Sequence, residues 1–223
     1  MKRCASAPDA AQPPKPRGRP RSFDRDAALA AAMEVFWQKG FEATSISDLT
    51  EAMGINPPSL YSAFGDKERL FLEAIESYQQ NRGHSCPYTD EPTARGAIER
   101  LLTYMAHDLT ESSHPRGCMM MMAAATSANT SAALQKVLTQ KRLEARDHMR
   151  LRIKRGIEEG DVPAGTDVNA LSDFYLTIIT GMSLQARDGS TRKSLIATVE
   201  QAMQIFPAVP KAAARKRREP AAA

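Results

Sequence analysis

The sequence predicts an all-α chain with a small N-terminal three-helix domain and a larger helical domain behind it. Three observations predict this. Alanine and methionine are plentiful, while aromatic residues are only 6% of 223 positions. Alternating β-branched runs are almost absent, and apolar residues recur at helical spacing between Gly, Pro and Asp breaks. A chain with 42% hydrophobic and 25% charged residues has the balance of an ordinary globular protein, long enough for a sizeable core. No apolar stretch approaches the roughly 20 residues that cross a bilayer. The basic N-terminus lacks the apolar core of a secretory signal, so no membrane partner and a cytoplasmic location are expected. The cysteines Cys4, Cys86 and Cys118 are odd in number and widely spaced. They fit neither a disulfide framework nor a paired zinc site, and no metal or cofactor is expected.

Residues 1–21, rich in Pro, Ala and Arg, form the expected disordered basic arm. The first helix is expected over about 26–39, with Leu29, Met33, Phe36 and Trp37 as its apolar stripe and Gly40 as its stop. Thr44 or Ser45 offers the next N-cap, and Asp48 complements the positive end of a second helix that buries Ile46, Leu49, Ala52 and Met53. Gly54 ends it after barely two turns. Asn56 caps a third helix beginning at Pro57, where the missing N–H breaks no bond. Leu60 and Phe64 point inward from it, and Ser59, Tyr61 and Ser62 point elsewhere. A fourth helix starts near Asp66 and buries Leu70, Phe71, Ala74, Ile75 and Tyr78. Two short helices around a Gly-containing turn, braced before and behind, describe a helix-turn-helix at about 45–64. The expected domains are 22–70 for this unit and 71–206 for the second, with a disordered basic tail over 207–223.

Second-domain helices are expected at about 93–112, 117–127, 131–160, 167–188 and 190–206. The last two carry clear stripes: Leu171, Phe174, Tyr175, Ile178, Ile179 and Met182, then Leu195, Val199, Ala202, Met203 and Phe206. Charge is uneven along the chain. Residues 1–21 hold six Lys/Arg against one acid, residues 22–80 hold four against ten, and residues 207–223 hold five against one. Basic tails flanking an acidic body seek polyanions.

The run FWQKGFEATSISDLTEAMGINPPSLYSAFGDKERLF at 36–71 closely resembles the N-terminal domain of TetR-family repressors. It carries Gly-Phe, Thr-Ser, an Asp-Leu pair, Met-Gly-Ile, Leu-Tyr, Phe and Lys-Glu-x-x-Leu at fixed spacing. The resemblance covers about a quarter of the chain. It implies three N-terminal helices for DNA and about six for dimerisation and effector binding, with the last two helices pairing across a homodimer. Leu171, Ile178, Gly181, Met182, Leu195, Val199 and Met203 are the interface expected on that basis, Gly181 allowing close helix approach. A repressor released from double-stranded operator DNA by a small effector is the function the resemblance implies.

The same comparison puts the third helix in the major groove. Asn56, Ser59, Tyr61 and Ser62 are its candidate readers, since Asn can pair with adenine, Ser can donate or accept, and Tyr can reach phosphate. Thr44 and Lys67 match family positions that anchor the phosphate backbone, and Ser45 stands beside Thr44 as a further candidate. Pro57-Pro58 departs from the family pattern and supplies shape without donors. The acidic domain therefore needs charge from elsewhere. Arg17, Arg19 and Arg21 lie in Lys-Pro-Arg-Gly-Arg-Pro-Arg, which resembles the core of an AT-hook for narrow A·T-rich minor grooves.

For the effector, candidate residues are Cys118, Met119, Met122, Phe174 and Tyr175, around a mostly apolar cavity holding a small organic molecule. Cys118 beside Arg116 and near a helix N-terminus offers an alternative, a reactive thiol, or with Met122 a Cu(I) ligand. A further alternative is an architectural DNA protein with no effector. No phosphate loop, HExxH or nucleophile elbow is present, so catalysis is not expected.

Overall fold

The computed structural model describes residues 23–82, 90–121 and 131–209. Eight helices are formed among them: α1 (Arg25–Ala43), α2 (Ile46–Met53), α3 (Pro57–Phe64), α4 (Lys67–Arg82), α5 (Ala94–Asp108), α6 (Ala132–Glu159), α7 (Val168–Arg187) and α8 (Arg192–Gln204). Residues 119–121 form a further helical turn, and no strand occurs among the described residues. The expected basic arm, Met122 and most of the C-terminal tail lie outside them.

Short polar side chains start nearly every helix. Asp24, Ser45, Asn56, Thr93, Ser131, Asp167 and Thr191 each accept a hydrogen bond from an otherwise orphaned backbone N–H of the first turn. Gly40, at φ 78° and ψ 169°, breaks the regular geometry inside α1, so its long regular part ends where the sequence placed it. The N-terminal unit is α1 packed against α2 and α4, with α3 held between α2 and α4. In the second unit α5 packs on α8 and α6, α6 on α7, and α7 on α8. One continuous apolar core runs through both, from Phe36, Leu49 and Leu60 to Ile98, Leu138, Tyr175 and Leu195.

The buried positions of α3 and α4 match their apolar spacing, from Leu60 and Phe64 to Leu70, Phe71, Ala74, Ile75 and Tyr78. Ala52 is exposed, and Ile46 and Leu29 are only half-buried. In α1 the inner face is rotated toward Ala28 and Ala32, whose small side chains let α4 approach.

Candidate nucleic-acid interface and its junction with the second domain

Ser45 and Asp48 form a reciprocal capping box at the start of α2, and Lys39 Nζ lies 2.6 Å from Asp48 Oδ1. The Lys39 bond, with the Ser45 backbone and hydroxyl behind it, holds the Asp48 carboxyl far below its usual range. Gly54 then turns the chain at φ 63°, a left-handed conformation costly for any residue with a Cβ. Its N–H returns to the carbonyls of Thr50 and Glu51. Asn56 caps α3 by accepting from the Ser59 N–H at 2.9 Å, worth about 1 kcal/mol.

Leu60 and Phe64 anchor α3 from beneath, each contributing about 1.5–3 kcal/mol of burial. Tyr61 and Ser62 stand outward, Tyr61 48% exposed, while Ser59 is half-buried. The structure thus brings Asn56, Ser59, Tyr61 and Ser62 together on one short, rigid helix. It also restricts Asn56. With Oδ1 committed to the cap, bidentate pairing with adenine would cost the cap itself. Ser45 is exposed but committed to Asp48 in the same way.

Thr44 is a correction. Expected at the phosphate backbone, it is 1% exposed and its hydroxyl donates to the Gly40 carbonyl at 2.6 Å. The side chain secures the sharp turn after Gly40 and offers nothing to a phosphate in this conformation. Lys67, at the start of α4, rests its Nζ 4.5 Å from the Phe41 ring centroid. Partial desolvation lowers its pKa, against the pull of Glu42 and Asp48. Phe23, the first described residue, lines a shallow groove with Thr50, Glu51, Gly54, Ile55, Asn56 and Ser59. Residue 23 therefore enters the fold beside the α2–α3 turn.

Behind this face lies a buried junction that sequence reasoning did not identify. Trp37 Nε1 of α1 donates to the Gly117 carbonyl at 2.9 Å. Its ring stacks on His114 at 4.7 Å and meets Tyr78 edge-on at 5.0 Å. Tyr78 Oη in turn donates to Cys118 Sγ at 3.4 Å, and the Cys118 N–H donates to Ser183 Oγ of α7 at 2.7 Å. Arg187 at the end of α7 donates to the Gln38 carbonyl of α1 at 2.8 Å. The segment 114–118 is thus wedged between α1, α4 and α7. Its signal in the sequence, Cys118 beside Arg116, points to chemistry rather than to packing.

Comparison with known proteins agrees with this geometry. Residues 28–74 match the profile of bacterial regulatory proteins of the tetR family, and residues 95–203 match a tetracyclin repressor-like C-terminal domain. The chain belongs to the tetR family. A relative, the HTH-type transcriptional repressor ComR of Escherichia coli K12, is 32% identical over 196 residues, covering 86% of this chain and 93% of ComR. BdcR, another HTH-type transcriptional repressor of that organism, is 30% identical over 83% of this chain and 90% of its own. A cysteine-substituted form of the TetR-family regulator CifR, solved with a 26-bp double-strand operator DNA, is 44% identical. It superposes with a TM-score of 0.81, covering 85% of this chain and all of that one.

In this TetR-family chain the expected effector residues do not share one open cavity. Tyr175 is fully buried and donates to the Ala202 carbonyl at 3.2 Å, and burial pushes its pKa up to about 12. Phe174 instead lines an outward groove about 650 Å³ in volume, together with Leu171, Ile205 and Pro207. Met119 is buried beside Cys118 and does not line that groove. Cys118 corrects the thiolate expectation. Burial pushes its thiol pKa up, outweighing the lowering effects of Tyr78 and the Met120 and Met121 N–H groups. Arg116 points away and donates to the Ser190 carbonyl at 3.1 Å. No group of three potential metal-ligating His, Cys, Asp or Glu side chains occurs among the described residues.

The interface expectation also needs correction. Leu171, Met182, Leu195, Val199 and Met203 are buried inside a single protomer, because α7 and α8 use those faces to cover α5 and each other. Ile178 is half-buried and Gly181 exposed. A Cβ added at Gly181 would meet nothing within 4 Å. The outward face of α7 carries a second apolar row: Ala170, Phe174, Ile178, Gly181 and Leu184, the last 53% exposed. No helix among the described residues is long and apolar enough to cross a membrane.

Proposed function

We propose that this chain is a transcriptional repressor that binds double-stranded operator DNA as a homodimer and releases it when a small effector enters the second domain. The observation that carries this reading is the rigid α2–turn–α3 unit, with Tyr61 and Ser62 outward, in a chain 44% identical to an operator-bound regulator over that regulator's whole length. Tyr61, Ser62, the free amide nitrogen of Asn56, and Lys67 supply few donors, and the unit is acidic. The arginines of the 1–21 arm bring the missing charge, since the chain enters the fold beside the reading helix. The apolar outer row of α7 is the face offered to the second copy, exposed area of a kind that monomers rarely keep. The junction around Trp37 and Gly117 carries the effector signal to α1 and α4. The protein works in the cytoplasm and has no catalytic role.

The test is a titration of the full chain and of a chain lacking residues 1–21 against a palindromic site from its own promoter region. Sharp protection of that one site, with weaker binding and a flatter salt dependence after truncation, is expected. If all six arm cations meet phosphates, the slope of log K against log salt falls by up to about 5 per protomer. Even protection along the DNA would favour the architectural reading, and unchanged affinity and slope would refute the arm's role.

A further inference from the structure

The long helix α6 carries eight Lys/Arg against four acids, and three of the arginines follow one line along it. Positions four apart form one ridge on a helix, and one such ridge reads Leu134, Leu138, Arg142, Arg146, Arg150. The two leucines are buried in the core. The next three steps of the same ridge are half-buried arginines, flanked along the helix by the buried Met149 and Ile153. Arg142 Nη1, Arg146 Nε and Arg150 Nε are all shielded from solvent, and none has a hydrogen-bond partner.

Their counter-charges are poor. Arg150 has Asp147 at 3.1 Å on its own helix. Arg146 reaches only Asp173 of α7, at 3.8 Å, and that carboxylate is 55% exposed. Arg142 bonds through Nη2 to the Thr139 hydroxyl at 3.0 Å, and no acid pairs with it among the described residues. A desolvated guanidinium nitrogen without an acceptor is costly, and the cost falls on adjacent steps of one ridge, the middle of which reaches α7 at Asp173. Guanidinium forks one helical turn apart can converge on one planar or tetrahedral anion.

We infer that Arg142 and Arg146 form an anion site between α6 and α7 that takes the carboxylate or phosphate group of a small organic effector. This deepens the effector part of the function proposed above and rests on it. It replaces an apolar pocket, as the source of selectivity, with a charged anchor. Asp173 competes for Arg146 in the empty state and yields it when a better-placed anion arrives.

The test is calorimetric titration of the full-length protein with benzoate, phenyl phosphate and benzyl alcohol, with ionic strength held constant by chloride. Saturable binding of benzoate or phenyl phosphate but not benzyl alcohol is expected, and the anion that binds assigns the head group. Arg142→Gln and Arg146→Gln should each weaken that binding roughly tenfold or more. With no anion present, Arg142→Gln should unfold at no lower urea concentration than the parent, because a cation with no acid partner is gone, whereas Arg146→Gln also gives up its contact with Asp173. Should either fail to fold, the other variant decides. Failure of both anions to saturate, equal binding of benzyl alcohol, or parent-like binding by the variants overturns the inference. Operator titration of the same samples separates the two readings: intact DNA binding without an anion site sinks only this one, and lost DNA binding with an intact site sinks only the regulator.

Discussion

Replacing Gly117 with alanine should uncouple the junction at a predictable cost. Gly117 sits at φ +84°, and an added Cβ would lie 3.0 Å from the Ser183 carbonyl oxygen, a backbone atom of α7 that cannot swing aside. Relief by shifting the loop is also blocked. The Gly117 N–H donates to Leu109 at 3.1 Å and its carbonyl holds Trp37 at 2.9 Å, so movement would lengthen both bonds. The left-handed backbone costs about 1–2 kcal/mol for an L side chain, and overpacking costs about 1–3 kcal/mol more. Alanine's stiffer unfolded chain returns about 0.4–1 kcal/mol. The net loss is about 1–4.6 kcal/mol, and a central value near 2.8 kcal/mol lowers Tm by roughly 6–11 °C for a chain of this size. Urea titration at fixed protein concentration, followed by both far-UV dichroism and tryptophan emission, measures it. Trp37 is the single tryptophan in the sequence, so its emission reports this junction alone. The emission of Gly117→Ala should shift to the red before helix content falls. A variant as stable as the parent, with unchanged emission, would refute the steric reasoning.

Cys118 should resist iodoacetamide in the native state of a Cys4→Ser, Cys86→Ser background and react on unfolding; rapid native alkylation would sink that reading. Because burial raises the thiol pKa above its usual 9.0, the folded state holds this proton to higher pH than the unfolded chain. Its contribution is complete below about pH 9 and declines as pH rises beyond it. A Cys118→Ala chain should lose that alkaline slope in urea titrations. Tyr175→Phe should cost only about 0.5–1.5 kcal/mol, since the Ala202 carbonyl also accepts from the Ile205 N–H, and should leave effector response intact. Gly181→Leu should spare the protomer, whose atoms leave that position open, yet shift sedimentation toward monomer; an unchanged dimer would move the interface off the outer row of α7.

Much of the N-terminal unit was legible because its residues act locally. Asn56 with Pro57, Gly54 after a two-turn helix, and Leu60 with Phe64 each specify their own few neighbours. Beyond it, periodicity gave the helices but not their partners. A helix such as α7, apolar on two sides, has one stripe for its own core and another for what lies outside, and spacing alone does not say which is which. Leu171 and Met182 were assigned to the wrong side for that reason. Thr44 and Tyr175 failed differently: the first was matched to a phosphate-anchoring position and the second to an apolar effector cavity, but both spend their hydroxyls on backbone carbonyls, Gly40 one turn back and Ala202 of the next helix. Cys118 had the right helix terminus beside it, but desolvation outweighs that effect. The arginine ridge of α6 escaped notice because charges at helical spacing ordinarily mean a solvated face.

The bond from Arg187 to the Gln38 carbonyl, spanning 149 residues, bears on how regulators of this kind can be recombined. A graft that moves the reading head onto another second domain, cut in the tempting loop between α3 and α4, would part Trp37 from Tyr78 and orphan the Gly117 and Gln38 carbonyls. Such a hybrid would bind DNA without hearing its effector. A working hybrid has to carry α1, α4, the 114–118 wedge and the end of α7 as one transplanted block, although they lie far apart in the gene.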